Sequence, residues 1–125
     1  MSRGFAAPLL AGLVLATACA DATGIKDGAL TVRRGHQALE LSNASEAPLH
    51  YFVLEREISA LVDWVTCAGP GCRAVPPQGS ARIPYSQILG YSPSARELLV
   101  YWWRPVPDGQ GGFTPGPVRH LIVRL

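Results

Sequence analysis

The sequence from residue 29 onward alternates apolar and polar residues and is interrupted at short intervals by Pro, Gly, Asn and Ser. Alternation with a period of two predicts β-strands with one buried face, and such frequent interruptions leave no room for long amphipathic helices. Seven segments show the pattern: residues 29–33, 37–42, 49–55, 59–66, 80–85, 97–104 and 118–125. We therefore expect an all-β domain of antiparallel strands.

The predicted strands differ in how much of their surface is apolar. Residues 49–55 are apolar on both faces, which predicts a central strand. Residues 59–66 alternate more strictly and should bury Val62 and Trp64. The only helical structure expected inside the domain is one connecting turn at residues 86–90.

The number and spacing of these strands are similar in plan to those of immunoglobulin and fibronectin type III domains. The similarity implies a single Ig-like antiparallel β-sandwich of about seven strands over residues 29–125. The disulfide that joins the two sheets of immunoglobulin domains has no counterpart here, because Cys67 and Cys72 are too close in sequence to join two sheets.

The first residues of the chain have the features of an export signal. Arg3 is followed by an apolar run without charges that ends near residue 18. This run is shorter than the roughly 20 residues of a membrane-spanning helix, and small residues follow it, so residues 1–18 are predicted to form a secretory signal peptide with a short helix. Residues 19–28 are small and polar, which predicts a tether to the domain.

The segment Leu15-Ala16-Thr17-Ala18-Cys19 resembles the lipobox of bacterial lipoproteins. The resemblance implies that Cys19 is lipidated, becomes the mature N-terminus and holds the protein on a bacterial membrane, at the periplasmic face or in the outer membrane. Ala18-Cys19-Ala20 also fits an ordinary cleavage site, which would release a free periplasmic or secreted protein. Lipidation is the preferred interpretation.

The segment Cys67-Ala-Gly-Pro-Gly-Cys72 contains the two remaining cysteines of three. An exported chain folds where disulfides persist, and the Gly-Pro-Gly sequence favours a tight turn, so a structural disulfide between Cys67 and Cys72 is predicted. A zinc site would need a second pair of ligands, and a redox couple normally has two residues between its cysteines at the start of a helix. We expect no metal and no cofactor.

The segment Tyr101-Trp102-Trp103-Arg104 places its two tryptophans on opposite faces of a strand. One of them should fill the core. The other, with Tyr101 and Arg104, either forms an exposed aromatic platform for a sugar or protein partner or is covered by a loop.

The connection over residues 105–117 is long, rich in Pro and Gly, and contains a single large apolar residue, Phe113. Loops of this length are uncommon unless they have a role. Two alternatives remain: a binding loop at one end of the sandwich, or a tip whose Phe113 packs against the edge of the domain.

Composition and motifs limit the classes of function. Eleven Lys and Arg against nine Asp and Glu are spread along the chain, so no nucleic-acid surface is predicted. No nucleophile has the context of a catalytic triad, and Glu55 and Glu57 are predicted to line a solvated edge rather than to form a catalytic carboxylate pair.

The function predicted from the sequence is a non-enzymatic module at the cell envelope. It would bind an envelope protein or glycan through a surface that includes Tyr101, Trp103, Arg104 and Phe113. The alternative is a secreted β-sandwich that inhibits proteases through its disulfide-pinned loop.

Overall fold

A computed structural model describes residues 24–125 of the protein. This part of the chain forms ten β-strands and two short 3-10 helices. The strands are β1 (Ile25–Asp27), β2 (Leu30–Arg34), β3 (Ala38–Asn43), β4 (Leu49–Glu55), β5 (Ala74–Val75), β6 (Ser80–Pro84), β7 (Glu97–Trp103), β8 (Pro105–Pro107), β9 (Phe113–Pro115) and β10 (Arg119–Arg124). The 3-10 helices are Glu57–Leu61 and Tyr85–Gln87, the second of which lies close to the helical turn expected from the sequence.

The strands form two four-stranded sheets and a separate two-stranded ribbon. The first sheet has the order β1-β2-β3-β6, and the second has the order β10-β7-β4-β5. The ribbon pairs β8 with β9. Every strand pairing is antiparallel, which confirms the prediction of an all-β antiparallel domain.

The two sheets pack face to face on one apolar core. Alternate residues of each strand point into it, as the period-two pattern predicts. Buried core residues from the first sheet are Leu30, Val32, Leu39, Leu41 and Ile83, and those from the second are Leu49, Val53, Val75, Leu98, Val100, Trp102, Leu121 and Val123. Burial of each Leu or Val stabilises the fold by about 2 kcal/mol. Trp102 is the tryptophan that fills the core.

Residues 59–66 do not form the predicted strand. The second half of the segment is extended but pairs with no neighbour, and its side chains alternate between half-buried and exposed. Val62 and Trp64 are half-buried, because the segment lies on the outer face of the second sheet instead of beside a strand. The alternation in the sequence is therefore real, but it reflects contact with one surface rather than membership of a sheet.

The 3-10 helix that replaces the start of this strand is held by Glu55. Its carboxylate accepts hydrogen bonds from the backbone N–H groups of Glu57 (2.9 Å) and Ile58 (3.0 Å). Glu55 is 7% exposed. The predicted solvated edge is therefore wrong at this residue: the side chain bonds to its own backbone, which bends the chain away from the strand direction.

The first sheet begins inside the predicted tether. Residues 25–27 form β1, and Asp27 joins this strand to the opposite sheet. Its carboxylate accepts hydrogen bonds from Trp102 Nε1 (2.8 Å) and from Arg119 Nη2 (2.5 Å). Among the described residues, the first strand of this sheet therefore lies at Ile25–Asp27, within the segment predicted to be a tether.

The long connection over residues 105–117 is a hairpin rather than an irregular loop. Val106 pairs with Thr114, and the turn is closed by Asp108, whose backbone N–H donates to the carbonyl of Gly112 at 3.0 Å. The prolines of both strands lie at Pro105, Pro107 and Pro115. The prolines therefore occupy the non-hydrogen-bonded pairs of this antiparallel ladder, where a backbone N–H would have no partner strand to bond to, so their lack of an N–H costs no hydrogen bond. We call residues 105–115 the proline hairpin.

The predicted signal peptide, residues 1–18, and the predicted lipidation site, Cys19, lie outside the described residues. Between residues 24 and 125, no helix has both the length and the apolar character needed to cross a bilayer.

Candidate functional site

Cys67 and Cys72 form a disulfide, as predicted. Their Cα atoms are 5.8 Å apart, and the backbone N–H of Cys72 donates a hydrogen bond of 3.2 Å to the carbonyl of Gly69. Gly69 has a φ of 113°, a backbone conformation that residues other than glycine rarely adopt. Residues 67–72, the disulfide loop, are therefore a compact turn.

The disulfide loop covers the second tryptophan of the central strand β7. Trp103 Nε1 donates a hydrogen bond of 2.8 Å to the carbonyl of Cys67, and the Trp64 ring stacks on Trp103 with centroids 5.6 Å apart. Trp103 is 3% exposed. Of the two alternatives for this residue, the structure has the covered one, so the Trp103 indole offers no platform to a ligand.

The remaining predicted binding residues are not gathered on one platform. Tyr101 is half-buried beneath Trp64, with ring centroids 4.8 Å apart. Arg104 is exposed, and its carbonyl accepts a hydrogen bond from the N–H of Gly116 at the base of the proline hairpin. Phe113 is 46% exposed and belongs to a different feature, described next.

A pocket of about 420 Å³ opens between the disulfide loop and the proline hairpin. Its volume is typical of ligand sites. The walls are mainly apolar and include Pro48, Pro70, Pro105, Pro107 and Phe113. The two segments singled out in the sequence for separate hypotheses, residues 67–72 and 105–117, therefore meet at one place. We call this feature the proline pocket, and the end of the sandwich that holds it the pocket end.

His50 lines the proline pocket and is its only ionisable side chain apart from the bonded Cys72. The residue is 2% exposed, and its Nδ1 lies 2.9 Å from the carbonyl oxygen of Arg73. A carbonyl can only accept, so Nδ1 carries the proton and donates. While the ring is neutral, Nε2 is then an acceptor, and among residues 24–125 it has no hydrogen-bond partner.

Sequence reasoning missed His50 as a pocket residue. Position 50 is brought beside residues 70 and 113 because His50 pairs with Ala74 at the start of β5 and with Trp103 at the end of β7. The disulfide loop precedes β5 and the proline hairpin follows β7, so both extend from the same end of the sheet. Nothing local to His50 in the sequence indicates these neighbours.

The arrangement is suited to binding an apolar group with one directional hydrogen bond. The pocket lining contains no carboxylate, no hydroxyl and no free thiol. Within residues 24–125 there is no group of three or more His, Cys, Asp and Glu residues that could hold a metal ion.

The chain matches no protein-family model, no curated protein and no solved structure.

Proposed function

We propose that this protein is an exported, lipid-anchored and non-enzymatic Ig-like module that binds a protein partner at the bacterial cell envelope through its pocket end. The observation that supports this role is the proline pocket, where the disulfide loop and the proline hairpin meet around a buried acceptor. A glycan would need several hydrogen-bonding groups, and the lining offers only the His50 side chain, so a protein is the better fit.

The order of the strands supports the Ig-like assignment. In immunoglobulin domains the third, sixth and seventh strands form one sheet and the first, second and fifth belong to the other. Here the order β10-β7-β4 follows the first pattern, and the neighbours β3 and β6 correspond to the second and fifth strands. The strands β1 and β5 extend the two sheets at their edges.

Metabolic labelling with radioactive palmitate tests the anchor. We expect label on the wild-type protein and on a Cys67→Ser/Cys72→Ser variant, but none on Cys19→Ser. An unlabelled wild-type protein, recovered from the cytosol at full length, would contradict both export and lipidation.

Partner capture from a detergent extract of the cell envelope tests the binding role. Phe113→Ser should lose a component that the wild type retains, whereas Leu89→Ser should retain it. Leu89 is a matched control, because it is 47% exposed compared with 46% for Phe113 and lies beyond the far end of β4, next to Glu55. Equal capture by both variants, or a captured component that survives protease and is lost on periodate oxidation, would count against a protein partner.

A protease panel separates this function from inhibition. Inhibitory loops protrude toward the enzyme, whereas the disulfide loop folds back as a turn and is held to the sheet through Cys67. We expect no inhibition of trypsin-, chymotrypsin- or subtilisin-like enzymes. Inhibition that Pro70→Ala and Gly71→Ala abolish would favour the inhibitor alternative instead.

A further inference from the structure

The His50 side chain has a fixed direction of hydrogen bonding. Its Nδ1 proton is committed to the carbonyl of Arg73, so Nε2 can only accept a hydrogen bond while the ring is neutral. A buried acceptor without a donor is unfavourable, because it has lost its contact with water and gained nothing in return. A ligand with a donor group would satisfy it.

The walls of the pocket select the shape of such a ligand. Four of the lining residues are prolines, and one is the exposed ring of Phe113. Proline rings are rigid and pack well against the faces of aromatic rings, as they do where proline-rich peptides bind. A flat ring can enter between these walls without requiring other polar partners.

We propose that the proline pocket takes an aromatic ring with a hydrogen-bond donor, supplied by a tyrosine or tryptophan side chain of the partner, and that His50 Nε2 accepts that hydrogen bond. The inference rests on the proposed function, and it names the group by which the partner is recognised. Tyrosine and tryptophan are also the residues most often responsible for affinity at protein interfaces.

Nε2 is buried, so the ring reaches it only when part of the pocket lining shifts. The tip of the disulfide loop is the part best suited to shift, because a Cβ built on Gly69 or Gly71 would meet no atom within 4 Å. The tip moves on binding, while the disulfide and the hydrogen bonds to the Cys67 and Arg73 carbonyls hold the two ends of the loop.

The test compares p-cresol, which mimics a tyrosine side chain, with toluene, which lacks the hydroxyl. Without an acceptor in the pocket, toluene binds more tightly, because burying an unpaired hydroxyl is unfavourable. With His50 as the acceptor, we expect p-cresol to bind about tenfold more tightly than toluene, a difference of about 1.4 kcal/mol. Titrations of the purified protein followed by NMR give both affinities, and the ¹⁵N signal of His50 Nε2 should move upfield only with p-cresol.

Three variants locate the effect. His50→Phe keeps a ring in place and should abolish the preference for p-cresol, whereas His120→Phe, an exposed histidine on β10, should leave it unchanged. Phe113→Ala should weaken both probes. If His50→Phe does not fold, the wild-type preference and the Nε2 signal still decide the matter.

The proposal is overturned if toluene binds as tightly as p-cresol to the wild type, if the Nε2 signal does not respond, or if the preference survives in His50→Phe. These outcomes are distinct from failure of the proposed function. Partner capture that depends on Phe113 without a preference for p-cresol would leave the binding role intact and remove the aromatic donor. A preference for p-cresol without any captured partner would support the aromatic donor and count against the binding role.

Discussion

Trp103 Nε1 donates a hydrogen bond of 2.8 Å to the carbonyl oxygen of Cys67, so a central strand of the second sheet holds one end of the disulfide loop. The other end is held near His50, whose Nδ1 donates to the carbonyl of Arg73, the residue after Cys72. Two aromatic side chains on neighbouring strands thus fix the loop at both ends, and the disulfide closes it between them.

Removal of the disulfide should loosen the loop without unfolding the domain. We expect Cys67→Ser/Cys72→Ser to lower the free energy of unfolding by about 2 kcal/mol, because a short closed loop restricts the unfolded chain only modestly. Urea denaturation measures this change. The tryptophan emission of the folded variant should shift to longer wavelength as Trp103 becomes more exposed. An unchanged midpoint and spectrum would show that the two hydrogen bonds suffice to hold the loop.

The Trp64 side chain should stabilise the protein although its segment belongs to no sheet. It contacts Phe52, Tyr101 and Trp103, with ring centroids between 4.8 and 5.6 Å away. We expect Trp64→Ala to lower the free energy of unfolding by about 2 kcal/mol, since aromatic contacts and buried area are lost together.

Leu61, in the same segment, provides the control for Trp64. It is 84% exposed, so Leu61→Ala should change stability by no more than about 0.5 kcal/mol. Thermal unfolding of both variants makes the comparison. If Trp64→Ala lowers stability as little as Leu61→Ala does, the segment over residues 59–66 contributes little to the fold.

The period-two pattern predicted most of the fold, because burial alternates along the strands whichever partner they have. Alternation does not reveal pairing, however. Residues 59–66 alternate because the chain lies against the face of the second sheet, and the Glu55 carboxylate, not a strand partner, bonds to the backbone there. The two strands of the proline hairpin were not predicted, because proline normally counts against a strand.

The sequence predicted the parts of the candidate site but not their assembly. Phe113 and the disulfide loop were recognised from loop length and cysteine spacing, which are local features. His50 was not, because its importance depends on the register that places it opposite Trp103 and Ala74. Such long-range pairing cannot be read from composition or spacing.

The contact between Asp27 and Trp102 predicts that β1 belongs to the folded domain. Asp27→Ala removes the acceptor of a buried indole N–H and the partner of Arg119, so we expect a loss of about 2 kcal/mol. Most of this loss comes from Trp102, because the Arg119 side chain is 55% exposed and its ion pair is screened by solvent. Lys26→Ala, a change at the exposed neighbour, should have almost no effect in urea denaturation. Similar stability of both variants would contradict a structural role for Asp27.

Asn43 should be among the most sensitive polar residues of the domain. It is 2% exposed, and its Nδ2 lies within 3.2 Å of the carbonyl oxygens of Ala47, Val75 and Pro76, while its Oδ1 accepts from the N–H and hydroxyl of Ser45. This side chain joins the turn after β3 to the strand β5 of the other sheet. Asn43→Ala leaves several of these groups without partners, so we expect a loss of about 3 kcal/mol.

A comparison of Asn43→Asp with Asn43→Ala separates hydrogen bonding from packing. The carboxylate has nearly the shape of the amide but presents only acceptors to the three carbonyls, so Asn43→Asp should be at least as destabilising as Asn43→Ala at neutral pH. Lowering the pH should recover part of the stability of Asn43→Asp alone, because the protonated carboxyl has one O–H to donate. Urea denaturation at several pH values, with Glu46→Ala as an exposed control in the same turn, provides the measurement. If Asn43→Asp is as stable as the wild type at neutral pH, the donated hydrogen bonds of Asn43 do not hold the turn.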